Sequence, residues 1–556
     1  MTKIKFEDNH IHSKYSDGKR ELKEIFEYNN LHDKLDLTIT DHVDKNTDWF
    51  PRYVAEIKKL RREYPDFKIR IGCEVKILDD GTLNTTSKIL KSTETVVGSI
   101  HHFEGIKSMS APQLLEREFE LTKKLAQSKQ IDILGHPFSM AQRFFNIGPS
   151  AKQVQTVYDL CVKSKIKFEY NPKHALTNIK SLVLKEIKAG RINNFSFGSD
   201  MHESLRELGD SAFDLSEPVA VLVTGAGAGV GQSIIKSIKL SKVKTKLIIA
   251  DADPLAAGLY RGSVAYIIPR CDSKNYINEL IRICKKEKVK FIFSGTDIEL
   301  PALSENRRKI ESKTSATVIV SSPKSIEIAD DKWKTVEFLR KNNFPYPDSC
   351  LKDGAEEFVR RKSLPLVIKP RIGARSIGFS VVNNEKEFSE KLASLPDPIV
   401  QEYLSDENEE YTCSSFFYGG KNYGVMTSKR WLRNGDTYKA IIKSNPEIED
   451  FVARVGSKLD LYGPCNFQLR KSGNKLKIFE INCRFSGTTG MASFLGFNVA
   501  NWLLQKEVFG RPLKKLSFKN AYMFRHWNEL FVDESQYVKL AKNGFLENPD
   551  SELNII

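Results

Sequence analysis

The sequence predicts an α/β protein of several domains, opening on a β/α barrel and passing through a β-α-β unit into an α+β domain. Three observations predict it. Nine of the ten histidines fall before residue 203, in clusters that follow short apolar runs. A strand-like run, VAVLVT, enters the glycine-rich turn Gly225–Gly231, and the run KIFEINCRF alternates polar with apolar side chains. At roughly 150 residues per domain, 556 residues suggest three or four domains.

The barrel comes first. Alternate side chains of a strand share a face, so His10 and His12 lie together, as do Asp200 and His202. Apolar runs ending in such groups suit a barrel that gathers its chemistry at the C-terminal ends of its strands. The order HIHSKYSDG, TDH, GCE, GSIHH, GHP, EYN, GSDMH resembles the PHP (polymerase and histidinol phosphatase) superfamily over about residues 4–210. That resemblance implies a distorted seven-stranded barrel holding two or three divalent ions, Mn2+, Zn2+ or Fe2+. Its ligand positions fall on His10, His12, Asp17, His42, Glu74, His101, His136, Asp200 and His202, with His102 as an alternative to His101 or a phosphate binder. It implies hydrolysis of a phosphoester, for which Arg143, Lys173 and Arg206 are candidate clamps. His32 and His174 read as ordinary surface or core residues.

A boundary falls at DSAFDLSEP, residues 210–218, where the metal pattern stops. The glycine turn that follows fits TGxxxGxG, but Val230 breaks GxGxxG and no Tyr-x-x-x-Lys pair follows downstream. The turn is therefore expected to serve close helix packing and to bind no nicotinamide cofactor, although Asp251 ends the next strand where a ribose-binding acid would sit.

In KIFEINCRF, Glu480, Asn482 and Arg484 are expected on one face and Phe479, Ile481 and Cys483 on the other, while Asn466 and Gln468 share a face of CNFQL. Two such strands side by side make an oxygen-rich surface suited to magnesium. With IADDKWKTVEFLRKNNFPYP, LPLVIKPRIGARSIGFSVV, PIVQEYL and EEYT ahead of them, these strands resemble ATP-grasp enzymes such as the carbamoyl-phosphate synthase large subunit, over about residues 218–515. The resemblance implies ATP with Mg2+ on Gln468, Glu480 and Asn482. Lys369 and Arg484 would carry the chemistry, and Lys332, Lys369, Arg375 and Ser376 the phosphates. Glu402, Tyr403 and Leu404 would form the adenine hinge, Glu410 would hold the ribose, and Arg430 is a further phosphate contact. The β-α-β unit becomes a Rossmann-like pre-ATP-grasp subdomain.

The expected division is 1–215 for the PHP barrel, 218–325 for the Rossmann-like part, 326–515 for the ATP-grasp part and 516–556 for a C-terminal extension. The expected function is bifunctional: a metallophosphoesterase, and a ligase that activates a small carboxylate as an acyl phosphate for capture by a nucleophile. A small-molecule kinase and a PHP nuclease are the alternatives. The partners are thus a carboxylate, a nucleophile and a phosphoester, with substrate choice expected at residues 427–445 and beyond 515; a homo-oligomer is left open. The net charge of +15 is spread along segments such as KSIKLSKVKTK, which favours solvated helix faces over a nucleic-acid surface. No run approaches the ~18 apolar residues of a membrane span, and MTKIKFED lacks a signal-like stretch, so a cytoplasmic protein without a membrane partner is expected. Eight cysteines without a C-x-x-C pair read as free thiols.

Overall fold

Apolar runs such as Asp36–Ile39, Ile69–Lys76 and Thr95–Ser99 are staves of a parallel sheet, buried along most of their length because both faces are covered. The computed structural model describes residues 5–174, 176–373, 377–405, 409–526 and 528–553. They form two units, Met1–Glu217 and Pro218–Ile556.

In the first unit the parallel order is Glu7–Ile11, Asp36–Ile39, Ile69–Lys76, Thr95–Ser99, Ile133–Leu134, Lys167–Tyr170 and Phe195–Phe197. The short segment His42–Val43 resumes the second stave and pairs His42 with Glu74. The ring nearly closes at Ile11, which bridges Met201 in parallel, while His12 N donates to Met201 O at 3.0 Å and Asp200 N to His10 O at 2.9 Å. This is the distorted seven-stave barrel expected from the sequence. Helices such as Ala111–Leu125 cover it with an apolar stripe of Leu114, Leu121 and Leu125. Each such leucine, fully buried, contributes roughly 1.5–3 kcal/mol.

The second unit holds three larger sheets. The first runs Thr317–Ile319, Phe291–Ser294, Val219–Thr224, Thr245–Asp251 and Val264–Ile267 in parallel, with Phe545–Glu547 added antiparallel at one edge. The second is antiparallel: Ser349–Leu351, Pro398–Glu402, Leu366–Pro370, Ser380–Val382. The third, also antiparallel, runs Lys475–Asn482, Gly463–Ser472, Glu410–Tyr418, Lys421–Arg433, Asp436–Ile442 and Ala521–Phe524. Residues beyond 515 therefore add an edge strand to two of these sheets. All eight cysteines are free thiols. Among the described residues no helix is long and apolar enough to cross a membrane.

Candidate metal centre and ligand cleft

The C-terminal ends of the barrel staves converge on Glu74. Its Oε1 lies 3.0 Å from Nε2 of both His101 and His136, and its Oε2 lies 2.9 Å from His42 Nδ1, 3.3 Å from His10 Nε2 and 3.4 Å from His12 Nε2. Five imidazoles thus surround one buried carboxylate. Asp200 Oδ1 is 3.2 Å from His12 Nε2, and Asp17 Oδ2 lies 3.4 Å from His42 Nε2 and 3.3 Å from His202 Nε2. All nine expected ligand residues fall into overlapping groups of metal-ligand atoms within 4.8 Å: His12, Asp17, His42 and His202; His10, His12 and Asp200; His10, Glu74 and His136; His42, Glu74 and His101.

The donor set fits divalent ions. Nε2 of His10, both ring nitrogens of His12 and Oε2 of Glu74 are buried without a hydrogen-bond partner, a costly arrangement unless an ion takes those lone pairs. Burial alone would raise the Glu74 carboxyl, but His101, His10 and His42 outweigh it and hold it well below the usual carboxylate range. Burial opposes charge on His42 too, yet Glu74 and Asp17 lift it to about 10. His136 and Asp200 also sit at positive φ, +22° and +51°, a backbone state uncommon for side-chain-bearing residues.

Other residues of the centre have contacts that the sequence reading did not assign to them. Glu169 reaches His10 Nδ1 at 2.8 Å with one oxygen and accepts the His136 amide at 2.5 Å with the other. Gly198 makes room for it: a Cβ there would stand 2.2 Å from Glu169 Oε1 and 2.6 Å from the Cβ of His10. Asp41 accepts from the amides and hydroxyls of Ser13 and Ser16, pinning the loop between His12 and Asp17. His174, expected to be an ordinary histidine, instead places Nε2 3.4 Å from Asp200 Oδ2 and its ring 5.4 Å from that of His136. A lone histidine after NPK carries no spacing signal that could reveal this. Of the expected phosphate clamps, Lys173 pairs with Glu207 at 2.6 Å and donates to Asp200 O, whereas Arg143 and Arg206 are exposed, as is His102.

In the second unit a cleft of about 190 Å3 is lined by Lys332, Lys369, Glu402, Tyr403, Leu404, Glu410, Arg430, Gln468 and Glu480, together with Arg470 and Phe479. Lys332 begins the helix Lys332–Lys341, capped by Asp331, and its ammonium donates to Gly373 O at 2.8 Å. Lys369 is buried on the strand Leu366–Pro370; burial, with help from Lys332, lowers its ammonium to about 8. Glu402 pairs with Lys477. Glu410, expected to hold a ribose, shares its oxygens between Arg430 at 2.9 Å and Arg470 at 2.6 Å. Arg375 and Ser376 lie outside the described residues.

Gln468 stands directly opposite Glu480, and Asn466 opposite Asn482. Glu480 Oε1 accepts from Gln468 Nε2 at 3.1 Å and Asn482 Nδ2 at 2.9 Å. One expectation is corrected. Phe479 was assigned to the face opposite Glu480, but the register shifts so that Gln468 pairs with Glu480 and Leu469 with Ile478. This bulge leaves Phe479 unpaired and turns it into the cleft, 5.7 Å below the Lys369 ammonium.

A second cavity of about 410 Å3 adjoins the cleft and shares Arg430, Gln468 and Glu480 with it. Arg484 lines this second cavity, bound to Asp297 by two contacts of 2.8 Å. The glycine turn forms part of its wall. Gly231 packs on Gly225, where a Cβ would meet the carbonyl oxygen at 2.4 Å, and Asp251 Oδ2 accepts from Gly227 N at 2.7 Å.

Known proteins are similar to separate parts of the chain. Residues 8–172 match the family described as PHP domain, residues 221–319 the PylC-like N-terminal domain, and residues 329–488 an ATP-grasp domain. The DNA polymerase/3'-5' exonuclease PolX of Bacillus subtilis is 30% identical over 140 residues, 23% of either chain. The carbamoyl phosphate synthase large chain of Pseudothermotoga lettingae is 22% identical over 258 residues, 43% of this chain and 22% of that protein. The chain thus spans less than a quarter of the length of these relatives. Among solved structures, N5-carboxyaminoimidazole synthetase from Staphylococcus aureus in complex with ADP matches with a TM-score of 0.42 and 16% identity, covering 58% of this chain and 85% of that one. The chain joins a PHP domain to an ATP-grasp domain, the latter preceded by a PylC-like N-terminal domain.

Proposed function

We propose that the chain is a bifunctional enzyme, a metal-dependent phosphoester hydrolase joined to an ATP-dependent ligase that activates a small carboxylate as an acyl phosphate. The ligase reading rests on one observation: Gln468 and Glu480 line both the cleft and the adjoining cavity, so a molecule in either meets the same carboxylate edge. A two-substrate transfer needs that adjacency.

In the cleft, the ammonium groups of Lys332 and Lys369 would balance phosphate charge, while Gln468, Glu480 and Asn482 would hold magnesium. In the barrel, the nine ligand residues would hold two or three divalent ions. Such ions supply a nucleophilic water near neutral pH and neutralise phosphate oxygens. Glu169, by engaging His10 Nδ1, leaves Nε2 as the inward donor and fixes the ring.

The test is product analysis across a panel of carboxylic acids and amines. Equal release of ADP and orthophosphate, with a hydroxamate formed on adding hydroxylamine, is the expected result. Phosphate retained on the organic product identifies a kinase. For the barrel, p-nitrophenyl phosphate and single-stranded DNA are offered in parallel, and cleavage of DNA alone would favour the nuclease alternative.

A further inference from the structure

The cavity beside the nucleotide cleft has its own electrostatic character, set partly by a segment outside the matched families. Three arginines line it, together with the carboxylates Asp297, Asp436 and Glu480, so the charge differs from place to place along the wall. Arg430 is bound to Glu410 and Gln468, and Arg484 to Asp297. Arg525 pairs with no carboxylate among the described residues.

Arg525 follows the edge strand Ala521–Phe524, which pairs with Asp436–Ile442, and its amide donates to Tyr438 O at 2.8 Å. Its guanidinium Nη2 donates to Gly487 O at 2.9 Å, and that carbonyl also accepts from Ser233 Oγ at 2.8 Å. One carbonyl thus gathers three segments at the rim: the C-terminal strand, the Ser486–Thr488 turn and the helix Gly229–Lys239. The hydroxyl-bearing Ser486 and Thr488 line the same cavity. So does the start of that eleven-residue helix, whose N-cap, Ala228, offers no side-chain acceptor to the first amides. Ser486 and Thr488 hydrogen-bond each other at 2.7 Å, which leaves one hydroxyl hydrogen of the pair to donate; with the Arg525 guanidinium and the uncapped amides it favours a negative charge at this rim, away from the Glu480 edge.

We propose that this cavity takes an organic substrate carrying an anionic group, carboxylate or phosphate, besides the group that reacts, and that Arg525 recognises the anion. The proposal rests on the ligase reading only for what the bound molecule does next; the anion site itself does not require it. Edge pairing and the Gly487 anchor fix the guanidinium at the rim, leaving its remaining N–H groups for the ligand.

The test uses the full chain and two matched probe pairs, succinate against butyrate and 3-phosphoglycerate against glycerate, titrated calorimetrically with and without MgADP. At least one dianion should bind about ten-fold or more tightly than its monoanionic partner, and the pair that shows the preference identifies the anion. Arg525→Gln should abolish the preference and Arg525→Lys retain part of it, with MgADP affinity unchanged because Arg525 lies outside the nucleotide cleft. No dianion preference in the wild type, or a preference that survives Arg525→Gln, overturns the proposal. Failure of every protein to bind MgADP would instead strike the ligase reading and leave the anion result to stand or fall separately.

Discussion

Glu169 Oε1 lies 2.8 Å from His10 Nδ1, both side chains buried, and this contact fixes which nitrogen of His10 faces the centre. The other Glu169 oxygen accepts the His136 amide, so both oxygens face N–H donors. Glu169→Gln keeps only one acceptor and should lower metal affinity by roughly 10–100-fold. Chelator competition followed by elemental analysis checks this; unchanged metal content at limiting metal would contradict it.

Removing the inward nitrogens themselves has a larger effect. The double variant His10→Ala/His12→Ala removes ligands from three of the four groups and leaves only His42, Glu74 and His101 complete. The wild type should carry two or three transition metals per chain and the variant fewer, with p-nitrophenyl phosphate hydrolysis lost. ATP consumption should persist, since Lys332, Lys369, Gln468 and Glu480 belong to the other unit.

The nucleotide cleft should be sensitive to pH through Lys369. Burial lowers this ammonium from its ordinary 10.5 to about 8. The unfolded chain therefore binds the extra proton between those values, so the burial penalty is felt below about pH 8 and stability gains from its relief as pH rises towards 10.5. Nucleotide binding has the opposite sign, because neutral Lys369 no longer balances phosphate charge. MgATP affinity measured by calorimetry should fall as pH rises through about 8, and Lys369→Met should bind weakly with that break removed.

The glycine turn should behave as packing. Gly231→Ala drives a Cβ to 2.4 Å from Gly225 O, a backbone atom that cannot move cheaply, and should cost about 1–3 kcal/mol in thermal or denaturant unfolding. Asp251 is engaged by the Gly227 amide, so titration with NAD(P)H should show no micromolar binding. Such binding would make the turn a dinucleotide site.

The sequence was most legible where residue order repeated a known spacing. His10 and His12 follow the alternation of the strand Glu7–Ile11, and Glu74 stands near the C-terminal end of its stave as its motif suggested, whereas Asp200 and His202 lie beyond Phe195–Phe197, with Asp200 at positive φ, so alternation does not govern them. Glu169 was hidden because nothing in EYN marks a carboxylate that serves a histidine 159 positions earlier. Phe479 was misplaced because strict alternation cannot foresee a bulge. Arg484 and Arg525 show a third limit: both residue types were visible, but only the fold reveals that one is bound to Asp297 while the other has no acidic partner among the described residues.

The central claim is that one chain carries two chemically separate centres, and Glu480→Ala tests it most directly. Glu480 is the carboxylate shared by the cleft and its adjoining cavity, and its neighbours Gln468 and Asn482 are neutral. ADP release in the presence of a reactive carboxylic acid should fall by orders of magnitude, as expected when several kcal/mol of metal-assisted stabilisation is lost. Hydrolysis of p-nitrophenyl phosphate, measured in the same preparation, should match the wild type. Undiminished ADP release, or loss of both activities together in a folded protein, would contradict the account.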